Sequence, residues 1–195
     1  MRINEHALDQ LFRKARTARG FVNEAVPLAL LHEIYQLTCL GPTTQNSQPA
    51  RFIFLTTPGA KERLVPALSP ANVDKTRAAP VTVIVAYDSH FYDLFSKTWH
   101  VPTVRDNYAN NAAHAELTAV RNGSLQGAYL ILAARALGLD CGPMSGFSLD
   151  KVNTEFFPDG RWRANFLCNL GRADASKTPA ERSPRLAFEE ACQVL

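Results

Sequence analysis

The stretch Gly41-Pro42-Thr43-Thr44-Gln45-Asn46-Ser47-Gln48-Pro49, hereafter the polar loop, separates a helical pattern from a strand-like run at 51–56. It has no charged and no bulky apolar side chain, and every residue in it other than glycine and proline carries a hydroxyl or an amide. Such groups, placed between two rigid elements, can match the alternating donors and acceptors of an uncharged heteroaromatic ring. The same residue types also form ordinary turns, so the polar loop alone leaves both interpretations open.

The size and charge of the chain narrow the class of protein. Its 195 residues predict one domain, 1–195, and the formal charge of +3 is spread without the run of like charges that indicates a nucleic-acid-binding arm. No apolar run approaches the roughly 20 residues of a membrane span, and the charged N-terminus does not resemble a signal peptide. We therefore expect neither a nucleic-acid partner nor a membrane.

The four cysteines form no CxxC pair and no Cys/His ligand spacing. This usage predicts reduced thiols, a cytoplasmic protein and no metal site.

Apolar periodicity predicts helices and strands around the polar loop. The predicted helices are 5–15, 27–40, 60–68, 113–138 and 149–156, and the predicted strands are 52–56, 81–87 and 162–170. The run 81–87 is apolar without alternation, which is typical of a strand buried on both faces. We interpret 141–147 as a tight turn. The whole predicts one α+β domain with helices packed on a mixed sheet.

Residues 88–112 are aromatic without a clear period and end in an amide-rich stretch. Two interpretations remain open at this stage. The segment is either a lid over a substrate pocket or an irregular excursion on the surface.

The common catalytic motifs are missing. The sequence has no GxSxG, HExxH, GxxxxGK[ST] or GxGxxG motif, and its five histidines lack ligand spacing. Cys141 could be a nucleophile, but no histidine is placed by the sequence to activate it. This pattern favours a bound cofactor that performs the chemistry while the protein binds and orients it.

Three segments then occur in a fixed order: Arg16-Thr17-Ala18-Arg19-Gly20-Phe21, the polar loop, and Gly138-Leu139-Asp140-Cys141-Gly142-Pro143-Met144-Ser145-Gly146-Phe147. Together they resemble the FMN-dependent nitroreductase family, whose pattern is Arg-Ser-x-Arg-x-Phe, Pro-Ser-x-x-Asn-x-Gln-Pro, and Gly-Leu followed by a Pro-x-x-Gly-Phe turn. The runs 40–43, 124–130 and 142–147 are most similar to the branch that includes the malonic semialdehyde reductase (3-hydroxypropanoate dehydrogenase) of uracil degradation.

The resemblance implies a fold, a partner and an activity. The implied fold is an α+β sandwich with a central mixed or antiparallel sheet flanked by helices, in an intertwined homodimer with FMN at the interface. The implied activity is ping-pong hydride transfer through flavin N5, with NADH or NADPH as donor. By analogy, the substrate is a small semialdehyde, malonic semialdehyde going to 3-hydroxypropanoate. A broad-specificity nitro or quinone reductase is the alternative, and a non-catalytic flavin-binding or flavin-sensing protein is the alternative of another class.

The resemblance also implies a role for individual residues. The phosphate and ribityl end of FMN would meet Arg16, Thr17, Arg19, Arg182 and Arg185. The isoalloxazine ring would be lined from the partner subunit by Pro42, Thr43, Thr44, Asn46 and Gln48. Its pyrimidine edge would face Asn72, and the N5/O4 side would face Pro143, Met144, Ser145 and Gly146, with backbone N–H groups of the last two stabilising charge there.

Each of these residues also has an ordinary structural explanation. Arg16 and Arg19 could complement the negative end of a helix, Asn72 could be a turn residue, and Arg185 could be a solvated charge. Ala15 stands where many family members have a further arginine, which predicts one fewer cation at the phosphate.

Overall fold

The structure is a computed structural model that describes residues 1–101, 103–179 and 181–195. Pro102, which falls in the predicted lid, and Ala180 lie outside the described residues.

A four-stranded sheet forms the centre of the molecule. Its strands are β1 (Ala50–Leu55), β2 (Val81–Asp88), β3 (Asp140–Met144) and β4 (Trp162–Gly171), in the spatial order β1-β2-β4-β3. The three strand pairs are all antiparallel. A single parallel bridge from Thr17 to Cys141 extends the β3 edge. The mixed sheet expected from the sequence is therefore an antiparallel sheet in its four named strands.

Helices cover both faces of this sheet. They are α1 (Glu5–Leu8), α2 (Leu28–Thr38), α3 (Pro58–Leu64), α4 (Pro70–Ala78), α5 (Phe95–Thr98), α6 (Val104–Ala109), α7 (Ala112–Ala136), α8 (Leu149–Phe156) and α9 (Phe188–Ala191). A π-helical turn, Asp9–Arg13, continues α1, and 3₁₀ turns occupy Thr44–Asn46, Val65–Ala67 and Phe91–Leu94. The sequence did not predict α4, because it has almost no apolar face and buries only Asn72 and Thr76.

Strand β2 carries the core on both of its faces, as its unbroken apolar run predicted. Val81, Val83 and Val85 pack with α2 and α7, whereas Ile84 and Ala86 pack on the opposite face with residues of α3, α8 and β4. All eight residues of β2 are buried.

Helix α7 approaches the sheet closely because the buried face of the helix carries glycines and alanines. A Cβ atom on Gly127 would lie 2.5 Å from the Phe166 ring, so only glycine permits this spacing.

The predicted turn 141–147 is wrong in its first half, where residues 140–144 form the edge strand β3. The sequence did not predict this strand, because Gly142 and Pro143 have low intrinsic preferences for β-strands. An edge strand tolerates proline, since one side of it needs no hydrogen-bonding partner.

In its described residues, 88–101 and 103–112, the predicted lid contains helical turns and an aromatic core of its own. Phe91, Phe95 and Tyr108 are each 3% exposed or less and pack on one another at ring-centroid distances of 5.0–5.9 Å. This packing is not that of an irregular excursion. A role in covering substrate stays a prediction.

Candidate functional site

A strongly cationic cavity of about 480 Å³ lies where the N-terminal and C-terminal segments meet α7. We call it the arginine cavity; among its lining residues are Arg16, Arg19, Arg135, Arg182 and Arg185. Glu181 is the one carboxylate among its described lining residues. A dianion such as a phosphate is the ligand that this excess of forked donors suits.

Backbone carbonyls fix two of these guanidinium groups. Arg182 donates from Nη2 to the carbonyls of Phe12, Arg13 and Ala15, at 2.6–3.1 Å. Arg16 donates to two of the same carbonyls, those of Arg13 and Ala15. The helix-end explanation of Arg16 therefore holds alongside its place in the cavity. The C-terminal segment is tied to the end of the first helical turns by these bonds.

The arginines in this cavity repel one another. The pKa of Arg182 lies below its usual value because of desolvation first, and then because of repulsion from Arg16, Arg185 and Arg135. An anion between these groups would relieve that repulsion. Of the two C-terminal arginines, Arg185 is the less anchored, because its hydrogen bonds among the described residues go to the nearby carbonyls of Ser183 and Pro184.

Arg135, in the last turn of α7, is a lining residue that no sequence motif predicted. It donates to the Leu11 carbonyl at 3.1 Å, and its Nε is buried without a hydrogen-bond partner in the described part of the chain. A buried donor without a partner is costly, which is a further sign that this cavity accommodates an acceptor. In the sequence, Arg135 is visible only as a cation three residues before Gly138. A cation at that position is equally typical of a charge that complements the end of a helix.

Strand β3 leads from the arginine cavity to the turn that contains Ser145 and Gly146. The N–H of Ala18 donates to the carbonyl of Cys141 at 3.0 Å, which places Thr17 and its neighbours beside the start of the strand. Ser145 follows four residues later, roughly 13 Å along an extended chain. An elongated ligand could therefore span both features along this edge.

Asn72 and Ser69 support the turn at Gly146. The Gly146 carbonyl accepts hydrogen bonds from the Asn72 Nδ2 at 2.8 Å and from the Ser69 N–H at 2.9 Å. A Cβ on Gly146 would lie 2.7 Å from that Nδ2 atom, so any larger residue there would displace the Asn72 side chain. The N–H groups of Ser145 and Gly146 make no hydrogen bond among the residues described.

The polar loop lies at the other edge of the sheet. It directly precedes Ala50, the first residue of β1, while Ser145 follows β3. Three strand spacings, about 14 Å, separate these edges. Among the described residues, the backbone N–H of Thr44 bonds to α7, and the side chains of Gln45 and Asn46 bond outside the loop to the predicted lid. One copy of the chain therefore does not bring Pro42–Asn46 and Ser145–Gly146 together.

Comparisons with known proteins identify the family of this chain. The profile of the Nitroreductase family matches residues 12–172. A protein of Ralstonia nicotianae, named "Putative NADH dehydrogenase/NAD(P)H nitroreductase", is 54% identical over 188 residues, which cover 96% of each chain. A protein of the same name from Rhodopseudomonas palustris is 51% identical over 188 residues, 96% of this chain and 95% of the other.

Solved structures share the fold. A nitroreductase family protein from Streptococcus pneumoniae superposes with a TM-score of 0.83 at 20% identity, covering 95% of this chain and 98% of that one. A nitroreductase in complex with FMN from Exiguobacterium sibiricum gives a TM-score of 0.82 at 20% identity, covering 100% and 99%. At this identity the likeness establishes the α+β nitroreductase fold.

The chain belongs to the nitroreductase family. As a member of that family it is an FMN-dependent oxidoreductase that uses NADH or NADPH, as the motifs predicted. The donor set fits the cofactor, because the arginine cavity offers several guanidinium groups for a phosphate and β3 connects it to free backbone N–H groups.

The structure does not support Cys141, the candidate nucleophile of the sequence, in a catalytic role. Cys141 is fully buried and donates to the Ile131 carbonyl, which makes it a poor nucleophile. No group of three or more His, Cys, Asp or Glu residues that could hold a metal ion occurs in the ranges the structure describes. Nor is any described helix long and apolar enough to cross a membrane.

Proposed function

We propose that this oxidoreductase reduces a small semialdehyde, malonic semialdehyde to 3-hydroxypropanoate, in a ping-pong cycle. The observation that carries this proposal is the run of motif residues at 40–43, 124–130 and 142–147, which most resembles that branch of the family. Bound FMN would supply the chemistry, by accepting a hydride from NAD(P)H at N5 and passing it to the second substrate.

The chain's own residues would bind and orient the cofactor. Arg16, Arg19 and Arg135, with Arg182 and Arg185, would hold the phosphate in the arginine cavity, and Thr17 would offer a hydroxyl beside them. Because one N–H of the Asn72 Nδ2 is bonded to the Gly146 carbonyl, its Oδ1 and its second N–H are left to meet the edge of the ring.

The redox end of the cofactor would lie at the turn after β3. Pro143 and Met144 end the strand, and the N–H groups of Ser145 and Gly146 would stabilise negative charge at the ring.

We further propose that the site is completed in a homodimer. Pro42, Thr43, Thr44, Asn46 and Gln48 of one copy would line the ring held by the other, which accounts for their place at the opposite sheet edge. Exposed apolar side chains adjoin the polar loop: the Tyr129 ring packs over Gly41, and Leu125 and Leu40 are 47% and 74% exposed. Such a patch beside the loop supports a subunit contact there.

Mixing two defective variants tests the shared site. Arg16→Ala/Arg19→Ala impairs the phosphate half, and Asn46→Ala impairs the ring wall. If each site draws on two subunits, a hybrid dimer regains one of its two sites, so a fully exchanged 1:1 mixture, in which about half of the dimers are hybrids, regains FMN binding at about a quarter of all sites. If each site lies within one chain, mixing restores nothing, and the shared site is refuted.

The two arginines of the first motif have a predicted energetic contribution. Loss of either guanidinium should weaken FMN binding by about 1.5–3 kcal/mol, the range for a charge-assisted hydrogen bond. Fluorescence titration of FMN measures this, and unchanged affinity in both variants would remove the phosphate assignment.

The alternative activity, a broad nitro or quinone reductase, is favoured by the names of the relatives. One anaerobic experiment separates the candidates. NADH or NADPH is added to the FMN-loaded protein, and the bleached flavin is then mixed with malonic semialdehyde, a nitroarene or a quinone. Fastest reoxidation by the semialdehyde, with formation of 3-hydroxypropanoate, supports the proposal. Fastest reoxidation by the other acceptors favours the alternative, and no bleaching indicates a non-catalytic flavin-binding or sensing protein.

A cytoplasmic location is also proposed. It is supported by the four cysteines, Cys39, Cys141, Cys168 and Cys192, all of which are free thiols.

A further inference from the structure

The polar loop has an unusual backbone. Gln45, Asn46 and Gln48 have positive φ angles of 52°, 49° and 43°, although none of them is glycine. Side chains with a Cβ adopt this left-handed region at a cost, so the conformation persists only where surrounding groups impose it.

One such group is the side chain of Asn122 on α7, which is 1% exposed. Its Oδ1 accepts a hydrogen bond from the Thr44 N–H at 2.8 Å, and its Nδ2 donates to the Thr118 carbonyl at 2.8 Å. Because the second bond fixes the orientation of the amide, the oxygen is directed at the loop. The residue immediately before the strained Gln45 is therefore anchored to a buried helix.

A second group is the hydroxyl of Tyr108, in the predicted lid. It donates to the Gln45 Oε1 at 2.8 Å. The Tyr108 ring is 3% exposed and stacks on Tyr92 with 7° between the ring planes. Burial raises the pKa of Tyr108, so the hydroxyl keeps the proton that it donates. The aromatic core of the lid therefore sets the position of this donor.

The other hydrogen bonds of the loop reinforce the same arrangement. Asn46 donates from Nδ2 to the Thr98 carbonyl at 2.8 Å and accepts from the Gln48 Nε2 at 2.9 Å. Each of the three left-handed residues thus has a side-chain bond, and two of these bonds lead into the segment 88–112.

We propose that Tyr108 and Asn122 are positioning residues, which hold residues 44–46 in the conformation that forms the wall of the flavin ring. This inference rests on the proposed function, in which the polar loop lines the ring. In this role Tyr108 acts on the flavin through the polar loop to which it is bonded.

We call the hydrogen bonds that join Tyr108 and Asn122 to residues 44–45 the clamp. Tyr108→Phe tests the clamp, because it removes one hydroxyl and leaves the ring packing in place. Tyr92→Phe is the matched control: it is the same substitution in the same aromatic cluster, and the Tyr92 hydroxyl makes no hydrogen bond to the loop among the residues described. The first readout is amide hydrogen exchange of a peptide covering 41–49 in the purified protein. Tyr108→Phe should speed this exchange roughly three- to tenfold, the effect of losing one ordinary hydrogen bond, and Tyr92→Phe should not.

A second background makes the test specific. Gln45→Gly removes both the acceptor and the cost of the positive φ. Adding Tyr108→Phe to Gln45→Gly should therefore leave the exchange unchanged. Equal exchange in Tyr108→Phe and Tyr92→Phe, or a full additional effect in the Gln45→Gly background, would overturn the clamp.

The reduction potential of bound FMN is the second readout, and a purely structural role would not move it. It should shift in Tyr108→Phe and stay constant in Tyr92→Phe; a constant value in both refutes the action on the flavin. If the protein binds no FMN at all, the proposed function fails, while the exchange contrast still decides whether the clamp exists.

Discussion

Replacement of Gly146 by alanine tests the turn that the site depends on. The new Cβ would lie 2.7 Å from the Asn72 Nδ2 and 3.2 Å from the Ser69 Oγ. The first distance is shorter than real Cβ contacts allow, so the Asn72 side chain must move. Movement breaks its 2.8 Å hydrogen bond to the Gly146 carbonyl.

The cost follows from the burial of Asn72, which is 7% exposed. An amide that loses its partner in such a place costs about 1–3 kcal/mol. Gly146 does not have a positive φ, so backbone strain adds nothing. We expect the free energy of unfolding to fall by this amount, with a Tm lower by about 2–4 °C for each kcal/mol.

Urea unfolding at one protein concentration, without added FMN, measures the change. Gly59→Ala is the control, because its new Cβ would have no described atom within 4 Å apart from those of its chain neighbours and of its own helix backbone. In an Asn72→Ala background the contact partner is gone, so Gly146→Ala should cost at least about 1 kcal/mol less. A variant as stable as the parent, or strict additivity with Asn72→Ala, would refute the reasoning. FMN titration adds a second outcome: weaker binding is expected if the turn faces the ring.

Two further predictions concern charged and titratable groups. Arg135→Ala should weaken FMN binding by about 1.5–3 kcal/mol, more strongly at low salt, whereas Arg172→Ala, which removes a surface ion pair with Glu24, should leave it unchanged in the same fluorescence titration. Burial, and then the hydrogen bond to Glu116, raise the pKa of Tyr87 to about 12. The unfolded chain loses this proton first, near pH 10, so Tyr87 stabilises the fold fully below pH 10 and loses that contribution between about pH 10 and 12. Urea unfolding at about pH 9 and about pH 11 should therefore show a smaller loss of stability in Tyr87→Phe than in the parent, and equal losses would contradict the assignment.

Local pattern sufficed for the main helices and for the central strands. The runs at 81–87 and 149–156 were recognised because their apolar residues follow one period or form one unbroken block. Helix α4 and strand β3 were not recognised. Their residues have weak intrinsic preferences, and tertiary contacts alone stabilise them: α4 by Asn72 and Thr76 packed inward, β3 by pairing with β4.

The candidate site divides in the same way. The motifs predicted Arg16, Arg19, Ser145 and Gly146 as one set, because three motifs that are each weak alone occur together in a fixed order. Nothing local to Arg135, Tyr108 or Asn122 distinguished them from residues of an ordinary helix, and their importance rests on partners 63 to 124 residues away along the chain.

The polar loop shows most clearly what the sequence determines and what the tertiary structure determines. The sequence by itself determined that residues 41–49 are polar, uncharged and set between two rigid elements, and that they occur with the other motifs of a flavin-dependent family. Only the tertiary structure placed the loop at the β1 edge and Ser145 at the β3 edge, and only it revealed three left-handed residues held by α7 and the segment 88–112. The physical reason is that strand order and side-chain contacts depend on how distant segments pack, which no local stretch of sequence encodes.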